Sequence, residues 1–336
     1  MRTVLILNPT SGESALAENH TTLDDTKELI LASLRTHNIE PTVQYTTVED
    51  PGTGLARQAA ADGAEIVIAA GGDGTLHAVA TGLIGTKSTL GILPMGTMNN
   101  IARSLKIPEE IEKACEIIAK GSNSRIDVGK VNDQIFLEVS GVGLEAAIFP
   151  AAEEFKSKGI VSTARGIAQG LYTLFTFKPT RFTVTFDHKK RRHVHAIQIS
   201  VCNSPYYGAR LQFAPNAVMD DGLLDVLIYR RFSKFNYIRH AISISQGKRD
   251  LSQKISRRKV KAITVEAENP VEIHADGVPA GHTPATIVIE AGVLQVRVPK
   301  KIAEGPNITK PENKKRNIYR RAVQRDQKQE KGPVYV

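Results

Sequence analysis

Short apolar runs alternate with helically spaced apolar positions through the first 130 residues. The runs predict strands at 4–7, 42–45, 66–70 and 90–93. Apolar residues three and four positions apart predict helices at 24–36, 51–62, 76–83 and 109–120. Because strands that alternate with helices are typical of a parallel sheet covered by helices, this region is predicted to be an α/β domain.

The pattern changes near residue 131, where runs with strand character become dominant. They predict strands at 136–140, 181–187, 194–202, 223–229, 262–267, 271–274, 286–290 and 294–298. Two helices, at about 160–177 and 233–247, interrupt them. The predicted fold class is therefore α/β, with a parallel-sheet domain over residues 1–130 and a mostly antiparallel, β-rich sandwich domain over residues 131–300.

Three of the predicted parallel strands end in loops of small residues. The loops read NPTSG at 8–12, GGDGT at 71–75 and PMGTMNN at 94–100. Because the carboxyl ends of parallel strands meet at one edge of a sheet, the three loops are predicted to form one site. Glycines let a phosphate approach the backbone, and the helix after the second loop presents unpaired N–H groups to an anion.

Asp73 lies in the middle of the second loop, where its carboxylate would repel a phosphate. Since a cation between two anions removes that repulsion, Asp73 is interpreted as a Mg²⁺ partner, directly or through water. A Gly-Gly-Asp-Gly run can also be an ordinary turn, and this one has neither the Rossmann nor the Walker spacing. The convergence of three loops favours the phosphate site.

Charge is unevenly distributed along the chain, whose net charge is +9. Residues 1–130 hold 11 basic and 16 acidic side chains, so the positive excess lies in the remainder. Residues 230–261 hold 11 basic and one acidic side chain, and residues 300–336 hold 11 and four. Such segments attract nucleic acid, acidic protein or anionic lipid. Residues 301–336 also have few apolar positions and are predicted to form a disordered basic tail.

Two further features bear on location. No apolar run is long enough for a membrane-spanning helix, and the first residues lack a signal-peptide pattern, so a cytoplasmic protein is predicted. The two cysteines, Cys115 and Cys202, lack a metal-binding spacing and are interpreted as buried free thiols.

Six motifs together resemble the soluble bacterial diacylglycerol kinase-like lipid kinases. They are the three loops, RIDVGKV at 125–131, NSPYYGARLQFAPNAVMDDGLLDV at 203–226 and HADGVPAGHTP at 274–284. The resemblance covers residues 1–300. It implies an N-terminal domain related to NAD kinases and phosphofructokinases, and a β-rich second domain whose last strands often return toward the first. ATP and lipid would meet between the two domains.

The resemblance also implies roles for individual residues. The nucleotide would be bound by Asn8, Thr46, Thr47, Gly71, Gly72, Asp73, Gly74, Thr75, Thr97 and Asn99. Asp73 and Asp127 would position the catalytic Mg²⁺. Asp221 would bind a second, structural Mg²⁺ together with the main-chain oxygens of Val218 and Leu223.

The proton acceptor is where this sequence departs from the family. The family usually has a Glu after Asp-Gly near the end of the second domain, but the motif here reads Asp276-Gly277-Val278. Three explanations are open: Asp276 serves as the base or organises a water that does, His274 or His282 substitutes, or kinase activity has been lost. A general base typically contributes about 10²- to 10⁴-fold to a rate, so its loss need not silence the enzyme.

The function predicted is an ATP- and Mg²⁺-dependent lipid kinase that acts on a free hydroxyl of a membrane lipid, with a diacylglycerol-type acceptor. The basic segments would hold the protein at an anionic membrane surface, peripheral to the bilayer. No aromatic interleaving supports nucleic-acid binding, and a homodimer is left open. The alternatives are an NAD kinase-like enzyme, which shares GGDGT, and a catalytically silent lipid- or nucleotide-binding protein.

Overall fold

A computed structural model of the chain describes residues 2–11, 22–148, 160–208, 210–230, 233–245 and 255–300. The helices are α1 Leu23–Arg35, α2 Thr53–Ala61, α3 Asp73–Leu83, α4 Asn100–Ser104, α5 Ile111–Lys120, α6 Ile160–Thr176 and α7 Lys234–Ser245. The first strands are β1 Thr3–Leu7, β2 Thr42–Tyr45, β3 Ile66–Gly71, β4 Thr89–Pro94, β5 Ser122–Val131, β6 Gln134–Phe136 and β7 Val139–Gly143. The remaining strands are β8 Thr180–Phe186, β9 Lys190–Cys202, β10 Leu224–Arg230, β11 Ile255–Val260, β12 Ala262–Ala267, β13 Glu272–Ala275, β14 Val278–His282 and β15 Ala285–Val298.

The N-terminal strands form the parallel sheet that their sequence predicts. Their order is β2-β1-β3-β4, with Leu5 opposite Ile68 and Ile68 opposite Gly91. Every residue of β1, β3 and β4 is buried, because helices cover the sheet. This double coverage explains why these strands are continuous apolar runs and not alternating ones.

The last strand connects the two halves of the sheet. β15 pairs in parallel with β4 at Val296 and Leu90, and antiparallel with β5. The sequence predicted two strands here, at 286–290 and 294–298, but they are one strand with a register shift around Gly292, whose φ is 62°. Through β15 the chain thus returns to the N-terminal sheet.

The β-rich half is antiparallel and surrounds a core that includes Phe136, Phe182 and Ile263. The single strand predicted at 136–140 is wrong, because the structure divides it into β6 and β7. Two strands were missed, and their sequences show why. β11 is mostly basic with only its ends buried, and β14 contains Pro279 and Gly281, which are unusual inside strands.

Both helices of this half agree with prediction within the described residues. No helix in the described part combines the length and apolar character needed to cross a bilayer. Cys115 and Cys202 are buried free thiols. The predicted tail at 301–336 and residues 246–254 of the basic segment lie outside the described residues.

Candidate active site

The three small-residue loops lie side by side at the carboxyl edge of β1, β3 and β4. Main-chain hydrogen bonds join them. The N–H of Asn8 donates to the oxygen of Ala70 at 3.0 Å, and the N–H of Met95 donates to the oxygen of Gly71 at 2.9 Å. The sheet therefore brings together three loops that are far apart in the sequence.

Close backbone packing explains the glycines of the second and third loops. A Cβ added to Gly96 would lie 2.5 Å from the Cα of Gly72, a contact that no side chain tolerates. Asn99, in the left-handed region at φ 51°, holds the third loop in place. Its side chain accepts from the N–H of Gly96 at 2.9 Å and donates to the oxygen of Gly96 at 2.7 Å. The Asn99 side chain thus shapes the loop.

The N-terminus of α3 faces open space. Gly72 precedes the helix and supplies no capping side chain, and a Cβ added to Gly74 would meet no atom within 4 Å. On its other side the loop is held by a hydrogen bond, in which Asn8 Nδ2 donates to Thr75 Oγ1 at 2.9 Å. Thr75 also packs closely on Gly71, where an added Cβ would collide with it. Uncapped N–H groups on a rigid helix end are what an anion needs.

The remaining residues predicted to bind nucleotide lie around this edge. Thr46 is buried, and its N–H bonds to the end of β1. Thr47 accepts from the N–H of Asp50 at 3.1 Å and so shapes the turn into α2. Thr97 is exposed, and its main-chain oxygen accepts from Arg210 of the β-rich half at 2.9 Å. That contact brings the second half of the chain over the loop edge.

Asp73 is held by the start of α4. Its two oxygens accept the N–H groups of Asn100 and Ile101, each at 3.1 Å. Burial raises the pKa of Asp73, the backbone hydrogen bonds oppose this, and the negative charge of Asp276 adds to the rise. The charge of Asp276 therefore acts on Asp73 at the loop edge.

The Asp73 carboxylate fits a hydrated Mg²⁺. Asp73 offers the hard oxygen ligands that Mg²⁺ prefers, and a divalent cation beside it would also offset the charge of Asp276. No three His, Cys, Asp or Glu side chains cluster as a metal site in the described part of the chain. A Mg²⁺ bound here would take most of its ligands from water and phosphate, as is usual for nucleotide kinases.

Asp276 fixes the break between β6 and β7. Its Oδ2 accepts the N–H of Leu137 at 2.6 Å, and its Oδ1 accepts those of Glu138 and Val139, both at 2.9 Å. His77 of α3 lies 3.7 Å from Oδ2. A carboxylate has about four lone-pair sites, so Oδ2 retains capacity to accept one more proton or donor. Predicted strand 136–140 is interrupted because these N–H groups bind Asp276 and not a neighbouring strand.

The two histidines considered as substitute bases differ in their surroundings. His274 is buried and stacked on Tyr207, with 5.6 Å between ring centroids. Its Nδ1 accepts the N–H of Gly277 at 3.2 Å, so that nitrogen is occupied in shaping the turn. His282 lies at the exposed end of β14. Val278, at the position of the family's usual Glu, is 55% exposed.

Sequence reasoning missed Glu138 and Asn100. Glu138 is buried, and its Oε2 accepts from Asn100 Nδ2 at 3.1 Å. The main chain of Asn100 binds Asp73, and that of Glu138 binds Asp276, so these two residues link the predicted catalytic carboxylates. The available signal was a single acidic residue inside the apolar sequence IFLEVSGVG.

Asp127 is joined to a different region. Its oxygens accept the N–H groups of Gly292 at 2.8 Å and Gly222 at 2.6 Å, and its own N–H donates to Met219. Burial raises the pKa of Asp127, those hydrogen bonds lower it, and the charge of Asp221 raises it further. These contacts place Asp127 at the turn that precedes β10.

The predicted structural metal site at this turn holds an ammonium group. Lys259 Nζ lies 2.5 Å from Asp221 Oδ2 and 3.3 Å from Asp225 Oδ2. The other oxygen of Asp221 accepts the N–H of Leu223 at 3.1 Å. Val218 and Leu223 lie beside Asp221 in the chain. Because Lys259 already balances the charge of this carboxylate, the divalent cation predicted here stays a prediction.

Comparison with known proteins agrees with this architecture. The model of the diacylglycerol kinase catalytic domain matches residues 2–131, and that of the YegS C-terminal NAD kinase beta sandwich-like domain matches residues 139–298. Diacylglycerol kinase of Bacillus subtilis is 28% identical over 308 residues, which are 90% of this chain and 98% of that protein. Diacylglycerol kinase of Staphylococcus saprophyticus is 26% identical over 305 residues, 90% of this chain and 96% of that one.

Solved structures give the same result for the fold. A crystal structure of a diacylglycerol kinase from Bacillus anthracis superposes with a TM-score of 0.70 at 24% identity, covering 90% of this chain and 98% of that one. The two matched models follow one another along the chain and together leave only short segments and the C-terminal 38 residues unmatched. The chain belongs to the diacylglycerol kinase-like lipid kinase family.

Proposed function

We propose that the protein transfers the γ-phosphoryl group of ATP to a free hydroxyl of a membrane lipid, with a diacylglycerol-type acceptor. The observation that carries the proposal is the uncapped N-terminus of α3, with Asp73 in its first turn, where three loops meet at one edge of the sheet. Phosphoryl transfer requires mainly in-line positioning and neutralisation of charge, and needs no nucleophilic side chain.

The loop edge supplies the nucleotide site in this proposal. The main-chain N–H groups from Gly72 to Thr75 bind the phosphates at the N-terminus of α3. Asn8, Thr46, Thr47 and Thr97 border the same edge and contribute polar contacts, whereas Asn99 acts through the shape of the third loop. Gly74 leaves the space that a phosphate would occupy.

The metal that the family implies has a place beside Asp73. When bound there, Mg²⁺ neutralises charge on the phosphate oxygens. Asp73 holds it directly or through water and is itself oriented by the N–H groups at the start of α4. For Asp127 we propose a role other than the one that the resemblance implies, because its hydrogen bonds hold the turn before β10 and the bend of β15 at Gly292.

Asp276 takes the proton from the acceptor hydroxyl in our proposal. Asp276 is half-buried whereas Glu138 is buried, so Asp276 is the more accessible of the two residues. Its Oδ2 keeps an available lone pair, and three main-chain N–H groups fix its orientation. Glu138 then positions Asn100, and through it the helix that orients Asp73.

The acceptor is in a membrane, so the protein must work at the surface of a bilayer. We propose that it does so from the cytoplasm as a peripheral protein, attracted to anionic lipids by its basic segments. The catalytic-domain match favours a lipid acceptor over NAD. Exposed Val278 is the observation that keeps a silent binding protein as the second candidate.

Transfer of radiolabelled phosphate tests the proposal. The protein would be incubated with Mg²⁺ and γ-labelled ATP and with diacylglycerol, a sphingoid base or phosphatidylglycerol in mixed micelles, with NAD as a soluble acceptor. We expect label in diacylglycerol and none with Asp73→Asn. Label in NAD alone would place the protein with the NAD kinases, and ATP binding without any transfer would support the silent protein.

A further inference from the structure

Helices α6 and α7 form one continuous outer surface on the β-rich half. They contact each other through Phe175 and Phe235, whose ring centroids are 6.3 Å apart in an edge-to-face arrangement. The Lys234 side chain also donates to the main-chain oxygen of Phe175. On the inner side, Leu174 is buried in a core cluster with Tyr229. The two helices are therefore anchored to the sheet, and their opposite sides face solvent.

The outer surface is unusually apolar. It exposes five large hydrophobic side chains: Leu171, Tyr172, Phe175, Phe235 and Ile242, with exposures of 45%, 68%, 47%, 77% and 52%. Residues three, four or seven positions apart lie on one face of a helix, so the members on each helix are neighbours. Five of the eleven exposed large hydrophobics of the described residues are thus concentrated on two helices. Exposed apolar groupings of this kind mark interaction surfaces.

The described parts of these helices and the residues that follow α6 carry charge of one sign. Residues 168–186 and 233–245 hold four Lys and Arg residues and no Asp or Glu. Lys178 lies two residues after α6 and is exposed, and Arg239 is exposed on α7 between Phe235 and Ile242. An apolar face on helices that carry cations, with no Asp or Glu among these described residues, is complementary to a surface that is apolar inside and anionic outside.

We propose that this outer face of α6 and α7 docks the protein on an anionic lipid bilayer. Tyr and Phe favour the boundary between headgroups and acyl chains, and each Lys or Arg near an anionic leaflet adds attraction. A second copy of the chain fits less well, since a twofold contact would press two basic surfaces together. The inference rests on the proposed function for its purpose, because a kinase with a membrane-bound acceptor must reach that acceptor at the bilayer.

Vesicle sedimentation without nucleotide tests the surface separately from catalysis. Vesicles would be phosphatidylcholine alone or phosphatidylcholine with phosphatidylglycerol. We expect Tyr172→Ser with Phe235→Ser to weaken binding to the anionic vesicles roughly 30-fold, from the loss of two inserted rings. Lys178→Gln with Arg239→Gln should weaken it by about 20-fold at low salt and much less at high salt. The wild type should bind neutral vesicles far more weakly.

Matched controls come from the other half of the chain. Val48→Ser removes a hydrophobic side chain that is 96% exposed, and Lys113→Gln with Lys120→Gln removes two exposed charges of α5. Both controls should bind vesicles as the wild type does, and thermal unfolding should show that all variants fold.

Three results would overturn the docking surface. The first would be that the variants of the outer face bind vesicles like the wild type. The second would be that the control variants lose as much binding as the variants of the outer face. The third is a wild-type dimer in sedimentation velocity that the patch variant dissociates, which would assign the face to a second copy. If the protein binds vesicles through this face but phosphorylates no lipid, the docking proposal stands and the proposed kinase function is refuted.

Discussion

Two regions of the molecule are each built around an aspartate that accepts two main-chain N–H groups, half-buried Asp73 in one and buried Asp127 in the other. Asp73 holds the start of α4, and Asp127 holds the turns at Gly222 and Gly292. Burial raises the pKa of both carboxyls. The local pattern is the same, and in the absence of neighbours the two positions would be hard to tell apart.

The neighbouring charges differ. Near Asp73 lies a second carboxylate, Asp276, whose negative charge raises the pKa of Asp73 and so makes its ionised form less favourable. Beside Asp127 stands Asp221, but there Lys259 binds Asp221 and Asp225 and supplies the positive charge internally. Within the described contacts, the Asp221 side chain has an ammonium partner and the Asp73 side chain has none. We propose that this difference in charge balance separates a site for a metal and a substrate from a structural turn.

The largest effect should come from substituting the two aspartates in turn. Asp73→Asn should lower the rate of phosphoryl transfer by about 10³-fold or more, because Mg²⁺ would lose its carboxylate and would no longer be held against the phosphates. Asp127→Asn should leave the rate per folded molecule within about tenfold. Initial rates with labelled ATP, corrected for the folded fraction, would check this.

Stability is the control for that pair. Each Asn keeps one acceptor oxygen for one main-chain N–H, but its NH₂ group faces the second N–H and cannot accept from it. Each variant should therefore lose about 1–3 kcal/mol of unfolding free energy. Denaturant unfolding measures this. Equal losses of rate in the two variants would contradict the distinction that we draw between the regions.

The next effect concerns the proton acceptor. Asp276→Asn should slow transfer about 10²- to 10⁴-fold, since an amide accepts no proton. Adding Val278→Glu to that variant should restore part of the rate, because it places a carboxylate where the family usually has one. Glu138→Gln, which can still accept from Asn100, is the matched control and should cost less than tenfold. Loss with Glu138→Gln and rescue of that variant by Val278→Glu would transfer the role to Glu138.

Much of the Asp73 region could be predicted from sequence. Continuous apolar runs located β1, β3 and β4, and parallel order alone brought their loops to one edge. The partner of Asp73 in the β-rich half was less accessible. Asp276 was predicted only through the family resemblance. The link through Asn100 and Glu138 depends on the interruption between β6 and β7, which an apolar run in the sequence does not reveal.

The turn before β10 shows a different limit. Residues 218–223 match the family's metal motif, so the resemblance predicted a divalent cation there, and this stays a prediction. The structure adds Lys259 beside Asp221. Lys259 lies in β11, a strand that its basic composition made hard to predict and that pairs with β10 across a long sequence separation. Local motifs specify that a charge must be balanced, whereas tertiary pairing decides what balances it.

The pH dependence of metal binding should sharpen the comparison further. Because the pKa of Asp73 is raised, its charged form destabilises the folded state at neutral pH, and that cost disappears as pH falls through the raised pKa. Mg²⁺ needs the charged form, so Mg²⁺ affinity should fall about tenfold per pH unit below a midpoint above 3.8. Calorimetric titration of nucleotide-free protein would measure this, with Asp73→Asn as the control. A midpoint at or below 3.8 would contradict the assignment.

The smallest effect should come from Lys259. Burial lowers the pKa of Lys259, but its bonds to Asp221 and Asp225 outweigh this and raise the pKa overall. Its contribution to stability is therefore present at neutral pH and is lost as pH rises through the raised value. Lys259→Gln should cost about 1 kcal/mol, since the pair is partly exposed to solvent.

That loss has a specific remedy if charge balance is the reason for it. In Lys259→Gln, Asp221 and Asp225 lack their ammonium partner, so millimolar Mg²⁺ or Ca²⁺ should bind there and raise the thermal midpoint. In the wild type Lys259 occupies this position, so the same cations should not raise the midpoint by binding at this turn. Lys113→Gln, which breaks an exposed pair with Glu110, should show no cation-dependent gain. Since Mg²⁺ also binds at Asp73 in our proposal, the comparison is best made with Asp73→Asn present throughout. A wild-type gain equal to that of Lys259→Gln in this background would mean that the turn takes a divalent cation after all.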